Sequence, residues 1–236
     1  MTEKNSTIKM MPEPNLQGIF PTPLLFAKFY RPYNKEELEF FDECSKDVTE
    51  NTGNTTSQNR YVLDHPVMKE IRDYMQFYVN YYMDKVYAPK NDVEAYFTQT
   101  WLNYTKTGQY HHKHAHPNSW ISGCLYINAD REKDRITFYN DRYNRIDLPT
   151  ENFNAFNSQS WWYSVGTGDI VLFPSYLTHM VEQTVSTETR VSIAVNTFLK
   201  GYIGDEYSLT GLHLKEQNSD TPHRTEPRPS DAPTGY

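Results

Sequence analysis

Four of the chain's eight histidines fall between residues 111 and 116, in the stretch QYHHKHAHPNSW (109–120). Imidazole is a good ligand for divalent metal ions, so spacing decides which of these rings could act together. His114 and His116 are two residues apart, and in extended chain such side chains share a face, so two ring nitrogens can converge on one ion. His111 and His112 are adjacent and point to opposite faces, so both cannot join that pair. They are read as solvated loop residues, or one of them as lining an entrance. A third ligand has to come from a neighbouring strand, and GDIVLFPSYLTHMVEQ (168–183) offers His179 at the end of an apolar run. Three neutral imidazoles on one face of a divalent ion leave coordination positions open for exogenous ligands. Surface histidines, or one satisfied by hydrogen bonds in the core, are the competing reading.

The next apolar segment, RVSIAVNTF (190–198), opens with an arginine. Arg190, Ser192 and Asn196 share one parity, opposite Val191, Ile193 and Val195. A guanidinium entering a core needs a partner, because burying it alone is costly. A carboxylate gripped bidentately by Arg190, with a hydrogen bond from Ser192, is the natural one. A dicarboxylate bound to the metal at its other end would bridge His179 and Arg190. A structural salt bridge at a strand edge is the alternative.

Composition bounds the elements that must hold these groups. The 236 residues suffice for one sizeable core. A net charge of −7, from 23 basic and 30 acidic residues, argues against nucleic-acid binding. Cys44 and Cys124 lie far apart and outside any ligand spacing, which fits a reducing compartment. No secretion signal and no apolar run of about 18 residues is visible, so the expectation is a soluble, cytoplasmic protein with no membrane partner. Residues 1–17 and 216–236 read as polar, disordered tails around a single domain over 18–215.

Within that domain, 19–30 reads as a first strand. Residues 34–50 read as an amphipathic helix with Asn34 as N-cap and Leu38, Phe40, Phe41 and Cys44 as its apolar residues. Residues 51–60 read as a polar loop. A longer helix is predicted over 66–86, with Val67, Ile71, Met75, Tyr78, Tyr82 and Val86 on its buried face. After Pro89 come seven short segments rich in β-branched and aromatic residues: 94–106, 119–127, 135–140, 159–164, 169–174, 179–184 and 189–200. Helices followed by strands predict a mostly β fold, a sandwich or barrel buttressed on one face by two N-terminal helices. The polar stretch within 139–163 reads as a flap, with Trp161 and Trp162 as core residues or as its anchors.

In this order, WLNYTKTGQYHHKHAHPNSWISGCLYIN (101–128), GDIVLFPSYLTHMV (168–181) and TRVSIAVN (189–196) resemble the iron(II)- and 2-oxoglutarate-dependent oxygenase superfamily. More narrowly, residues 19–200 resemble an oxygenase family of marine bacteria and their tailed phages, related to prolyl hydroxylases. The resemblance implies a double-stranded β-helix, a jelly-roll or cupin-like core. It implies iron(II), 2-oxoglutarate and dioxygen as cofactors, and hydroxylation of a peptidyl side chain or a small molecule with release of succinate and carbon dioxide. His114 matches the first iron ligand and His179 the distal histidine. Arg190 matches the residue that binds the far carboxylate of 2-oxoglutarate, and Ser192 completes an Arg-x-Ser pair. Tyr126, in LYIN, matches a tyrosine that hydrogen-bonds the cosubstrate, and Asn103 or Thr105 is a further contact to it. The departure is at position 116, where the superfamily usually carries a carboxylate. Either His116 ligates directly, or water takes that place; Asp130 and Asp141 do not stand at the motif position. A three-histidine zinc hydrolase and a non-enzymatic binding or virion-associated barrel are the other classes considered. The oligomeric state is open, a homodimer being one option.

Overall fold

The computed structural model describes residues 16–141 and 148–215. The chain forms β1 (Leu25–Lys28), α1 (Lys35–Lys46), β2 (Val48–Glu50), β3 (Thr55–Ser57), α2 (Lys69–Tyr82), β4 (Val93–Thr105), β5 (His111–His114), β6 (Ile121–Asn128), β7 (Arg135–Tyr139), β8 (Ser160–Ser164), β9 (Asp169–Pro174), β10 (His179–Val181), β11 (Arg190–Ile203) and β12 (Leu212–Leu214). The expected tails lie outside the described residues except at 16 and 17, and the expected flap lies outside them at 142–147.

α1 begins where the sequence predicts. The Asn34 side chain accepts from Glu37 N at 2.9 Å, and Glu37 Oε2 accepts from Asn34 N at 2.8 Å, a reciprocal capping box. Glu37 is fully buried and is neutralised by Arg31 at 2.7 Å. The helix buries Phe40 and Phe41 but leaves Leu38 exposed, and it stops at Lys46 rather than continuing to 50. The remainder pairs instead: β2, from the end of the expected helix, and β3, within the expected polar loop, form a hairpin, because β3 can add to the edge of β4 at Thr55↔Tyr104 and Thr56↔Asn103. The first strand is likewise shorter than predicted, since β9 pairs with it only over Leu25–Lys28.

The second helix enters through a 3-10 turn at Pro66–Met68 and leaves through a π turn at Met83–Tyr87. Its inward face is Ile71, Met75, Val79 and Tyr82. Tyr78 is half-buried and Val86 is exposed, because the wider π turn carries 86 off the stripe. Ile71, Met75 and Val79 are wholly buried, each contributing about 1.5–3 kcal/mol.

Two antiparallel sheets carry the site. The large one runs β1-β9-β6-β11-β4-β3-β2, with β12 on β11, and the small one runs β5-β10-β7-β8. Period-two alternation divides the large sheet's side chains between two environments. Leu102, Leu125, Ile127, Ile170, Leu172, Ile193 and Val195 pack with the two helices. The opposite parity, represented by Tyr126, Val171 and Phe173, packs with Ile136 and Phe138 of the small sheet. Expected strands and observed strands agree closely from 93 onward, with β5 and β12 added and β10 shortened. Trp161 and Trp162 are exposed on β8, so they are not core residues; Trp162 instead stacks under Arg135 at 4.1 Å.

Removing the cap tests this account of the N-terminal buttress. Asn34→Ala should lower stability by about 1 kcal/mol in urea unfolding, without changing the fold by circular dichroism.

Candidate metal centre

Strand β10 is only three residues long, but it is paired on both sides. Its first residue, His179, lies opposite His114 of β5 and opposite Phe138 of β7. His116 follows β5 in the turn to β6, held by a hydrogen bond from its backbone N–H to Ser175 O at 2.9 Å. These placements bring ring centroids of His114 and His179 to 4.4 Å, of His114 and His116 to 4.8 Å, and of His116 and His179 to 5.1 Å. One ligand nitrogen from each lies within 4.8 Å of the others, a geometry that could hold one metal ion. Among the described residues no carboxylate joins this group.

Two of the rings have fixed tautomers. His114 Nδ1 lies 2.7 Å from His112 O, and His179 Nδ1 lies 3.0 Å from Leu177 O. A carbonyl oxygen only accepts, so each Nδ1 carries the proton and each Nε2 presents a lone pair. Burial, reinforced by mutual repulsion, keeps the rings neutral. Desolvation lowers His114, lowers His179 well below the ordinary imidazole value, and takes His116 down to about 3.

The floor of the same cavity is the inner face of the large sheet, and its register arranges side chains in cross-strand rows. Arg190 lies opposite Thr105, and Ser192 lies between Asn103 and Tyr126. Ala194 lies between Trp101 and Cys124. All of these line one cavity with His114, His116 and His179. Each of the sequence-predicted residues therefore faces one space. The Tyr126 hydroxyl is buried without a hydrogen-bond partner among the described residues, and burial raises it well above its ordinary value. Burial likewise pushes the neighbouring Cys124 thiol up to about 11. Asn103 accepts from Trp101 Nε1 at 3.3 Å, and Thr105 accepts from Asn54 Nδ2 at 3.4 Å.

Arg190 has a partner within the chain, as the salt-bridge alternative allowed: its guanidinium donates to Asp134 Oδ1 at 3.2 Å, and both side chains are almost wholly buried. Asp134 is itself held by Thr184 Oγ1 at 2.9 Å and by Asp130 N at 2.8 Å. The sequence shows Asp134 only as one acid in a charged turn, with no spacing to single it out. Trp101 was findable, since it shares parity with Asn103 and Thr105. His111 stacks on His114 with centroids at 4.5 Å, reaches Asn51 Nδ2 at 3.3 Å and lines the cavity. His112 lies against Thr52 O, yet a ligand nitrogen of each of His111, His112 and His114 lies within 4.8 Å of the others, so the two adjacent rings do not diverge to opposite faces as expected. Asp130 pairs with Lys133, and Asp141 accepts from Thr178, so neither reaches the histidine group.

Residues 99–196 match the family model described as "Putative 2OG-Fe(II) oxygenase", a family that uses iron(II), 2-oxoglutarate and dioxygen. No curated protein sequence matches the chain. Solved structures similar in fold include SnoN, a non-heme α-ketoglutarate-dependent epimerase from nogalamycin biosynthesis, with TM-score 0.52 and 10% identity over 76% of this chain and 81% of that one. SnoK, the carbocyclase of the same biosynthesis, gives 0.50 and 11% over 73% and 78%. An oxidoreductase of the 2OG-Fe(II) oxygenase family from Burkholderia pseudomallei gives 0.50 and 10% over 74% and 83%. At these identities the likeness is one of fold. No described helix is long and apolar enough to cross a membrane.

The neutral histidines carry a pH signature. Unfolded imidazoles take up protons below about pH 6.5, while these folded ones resist protonation. Stability of the metal-free protein is therefore full above that pH and falls as pH drops toward about 3, the folded value of His116. His116→Asn should flatten part of this dependence in urea unfolding across the same window; an unchanged slope would contradict the burial of a neutral ring there.

Proposed function

We propose that the chain is an iron(II)- and 2-oxoglutarate-dependent oxygenase whose metal is held by His114, His116 and His179. The observation that carries this reading is the convergence of three neutral imidazoles at one end of a cavity that also contains a buried arginine. The strand order supports a double-stranded β-helix: β4, β6, β9 and β11 fall in one sheet and β5, β7, β8 and β10 in the other. On this reading residues 18–215 form one oxygenase domain.

The donor set fits both groups. Imidazole nitrogens suit iron(II), and three of them would leave coordination positions for exogenous ligands. A five-carbon dicarboxylate matches a cationic anchor with hydroxyl neighbours. Arg190 takes its far carboxylate, Ser192 donates to it, and the otherwise unpartnered Tyr126 hydroxyl supplies a further hydrogen bond. Asn103 and Thr105 complete the polar wall. When bound, the iron and cosubstrate supply oxidation of a substrate C–H bond by dioxygen, with succinate and carbon dioxide released.

The protein's share is positional. Asp134 holds the Arg190 side chain, so the cationic anchor is oriented before any ligand arrives. The His112 and Leu177 carbonyls orient His114 and His179. Phe173 and Phe138 pack beside His179, with ring centroids at 4.6 and 6.3 Å, and exclude water from that side. His116 replaces the usual carboxylate, so the metal keeps one more unit of positive charge than in relatives with an acid there. Hydroxylation of a small molecule or a peptidyl side chain is the proposed outcome.

Anaerobic loading with iron(II), followed by dioxygen and 2-oxoglutarate, should release succinate. His179→Ala should abolish release and metal binding. Arg190→Lys, which keeps charge beside Asp134 but loses the fork, should weaken 2-oxoglutarate binding at least about tenfold. His116→Asp should retain metal, because a carboxylate at that position faces the same ion. Normal succinate release by His179→Ala would sink the site assignment.

A further inference from the structure

The two strands that form the cavity floor do not end at the histidines. β4 is 13 residues long and β11 is 14, whereas the strands of the small sheet span only three to five. On β11 one face reads Arg190, Ser192, Ala194, Asn196, Phe198, a track of roughly 26 Å at about 3.3 Å per residue. On β4 a bulge opposite Asn196 and Thr197 inserts Thr98 between Phe97 and Gln99. The extra residue switches parity, so Gln99 pairs with Asn196 and Tyr96 with Phe198 on the same face.

Beyond the histidines this track is the floor of an open groove of about 480 Å³. Pro117 and Asn118, directly after His116, form one wall, and Tyr61, which bridges to β4 at Thr100, forms another. Trp101, whose ring centroid lies 6.0 Å from that of His116, marks the junction between groove and metal centre. Groove and cosubstrate cavity are therefore successive stretches of one sheet face.

The lining is chemically specific. Three rings (Tyr61, Tyr96, Phe198) and three amides (Gln99, Asn118, Asn196) face the groove, and among the described residues no charged side chain lines it. The Ser122 hydroxyl donates to Asn196 Oδ1 at 2.8 Å, which orients that amide. An amide offers donor and acceptor side by side, matching neighbouring hydroxyl groups that are each both. Aromatic faces match the apolar C–H face of a saturated ring. An ionic ligand would find no counter-charge here, and the net charge of −7 disfavours anions at encounter.

We propose that this groove is the substrate site and that it takes an uncharged, polyhydroxylated ring of glycosyl chemistry, delivered to the metal past Trp101 and His116. The proposal rests on the oxygenase reading for the reaction, though not for the binding.

The test uses the full chain loaded with zinc(II) as a redox-silent metal. Calorimetry measures 2-oxoglutarate binding, and saturation-transfer NMR measures methyl hexosides, hexose 6-phosphates and a blocked neutral tripeptide in the same sample. Methyl hexosides should receive saturation. Gln99→Ala and Asn118→Gly, both exposed changes, should each weaken them about fivefold, the scale of one hydrogen bond. If 2-oxoglutarate binds but the hexosides do not, or the phosphates or tripeptide bind in their place, the groove assignment is overturned. If the hexosides bind and 2-oxoglutarate does not, the groove assignment stands and the oxygenase reading falls.

Discussion

Antiparallel pairing holds β4 against β11 from Arg190↔Thr105 to Gly201↔Val93, and every position on the cavity floor that those two strands supply is measured along that ladder. Because side chains alternate with a strict period of two, one choice of register places all of them. It puts Ile193 and Val195 against the helices and Arg190, Ser192 and Ala194 toward the small sheet. A slip by one residue would bury Val191 beside the histidines and turn the arginine into an apolar layer. The helices therefore serve the site indirectly, by making the other register costly.

Charge compensation is divided unusually between the two ends of the cavity. The buried cation at one end has its own carboxylate, Asp134, while the histidine group at the other has none among the described residues. Arg190 can thus stay buried in the absence of a ligand, because the guanidinium is not left alone in a low-dielectric interior. The imidazoles stay buried by remaining neutral. Both ends are stable as they stand and both retain capacity for an anion. A metal held by neutral ligands would keep its full charge, which would favour an anionic cosubstrate.

Much of this was legible in the sequence, for local reasons. Asn34 and Glu37 announce a capped helix by type and spacing alone, and the strands after Pro89 show their alternation plainly. The pairing of His114 with His116 follows from a period of two. The selection of His179 and Arg190 as their partners needed the family resemblance as well. What escaped was whatever depends on contacts distant in sequence. β2 and β3 are polar and short, and they become strands only because the edge of β4 is there to receive them. Val86 left the buried face because a π turn ended the helix, while Val79, four residues after Met75 in the regular helix, took a place on it. Asp134 lies 56 residues from Arg190, and nothing in its charged turn marks it as the one acid that becomes buried.

Whether three histidines and no carboxylate hold the metal is read directly by X-ray absorption on the anaerobic iron(II) protein, because imidazole rings give multiple-scattering features that carboxylates and water do not. The expected result is three imidazoles per iron, with 2-oxoglutarate adding oxygen donors and displacing none of them. Two imidazoles, with oxygen donors already filling the remaining positions and unaffected by His116→Ala, would contradict it.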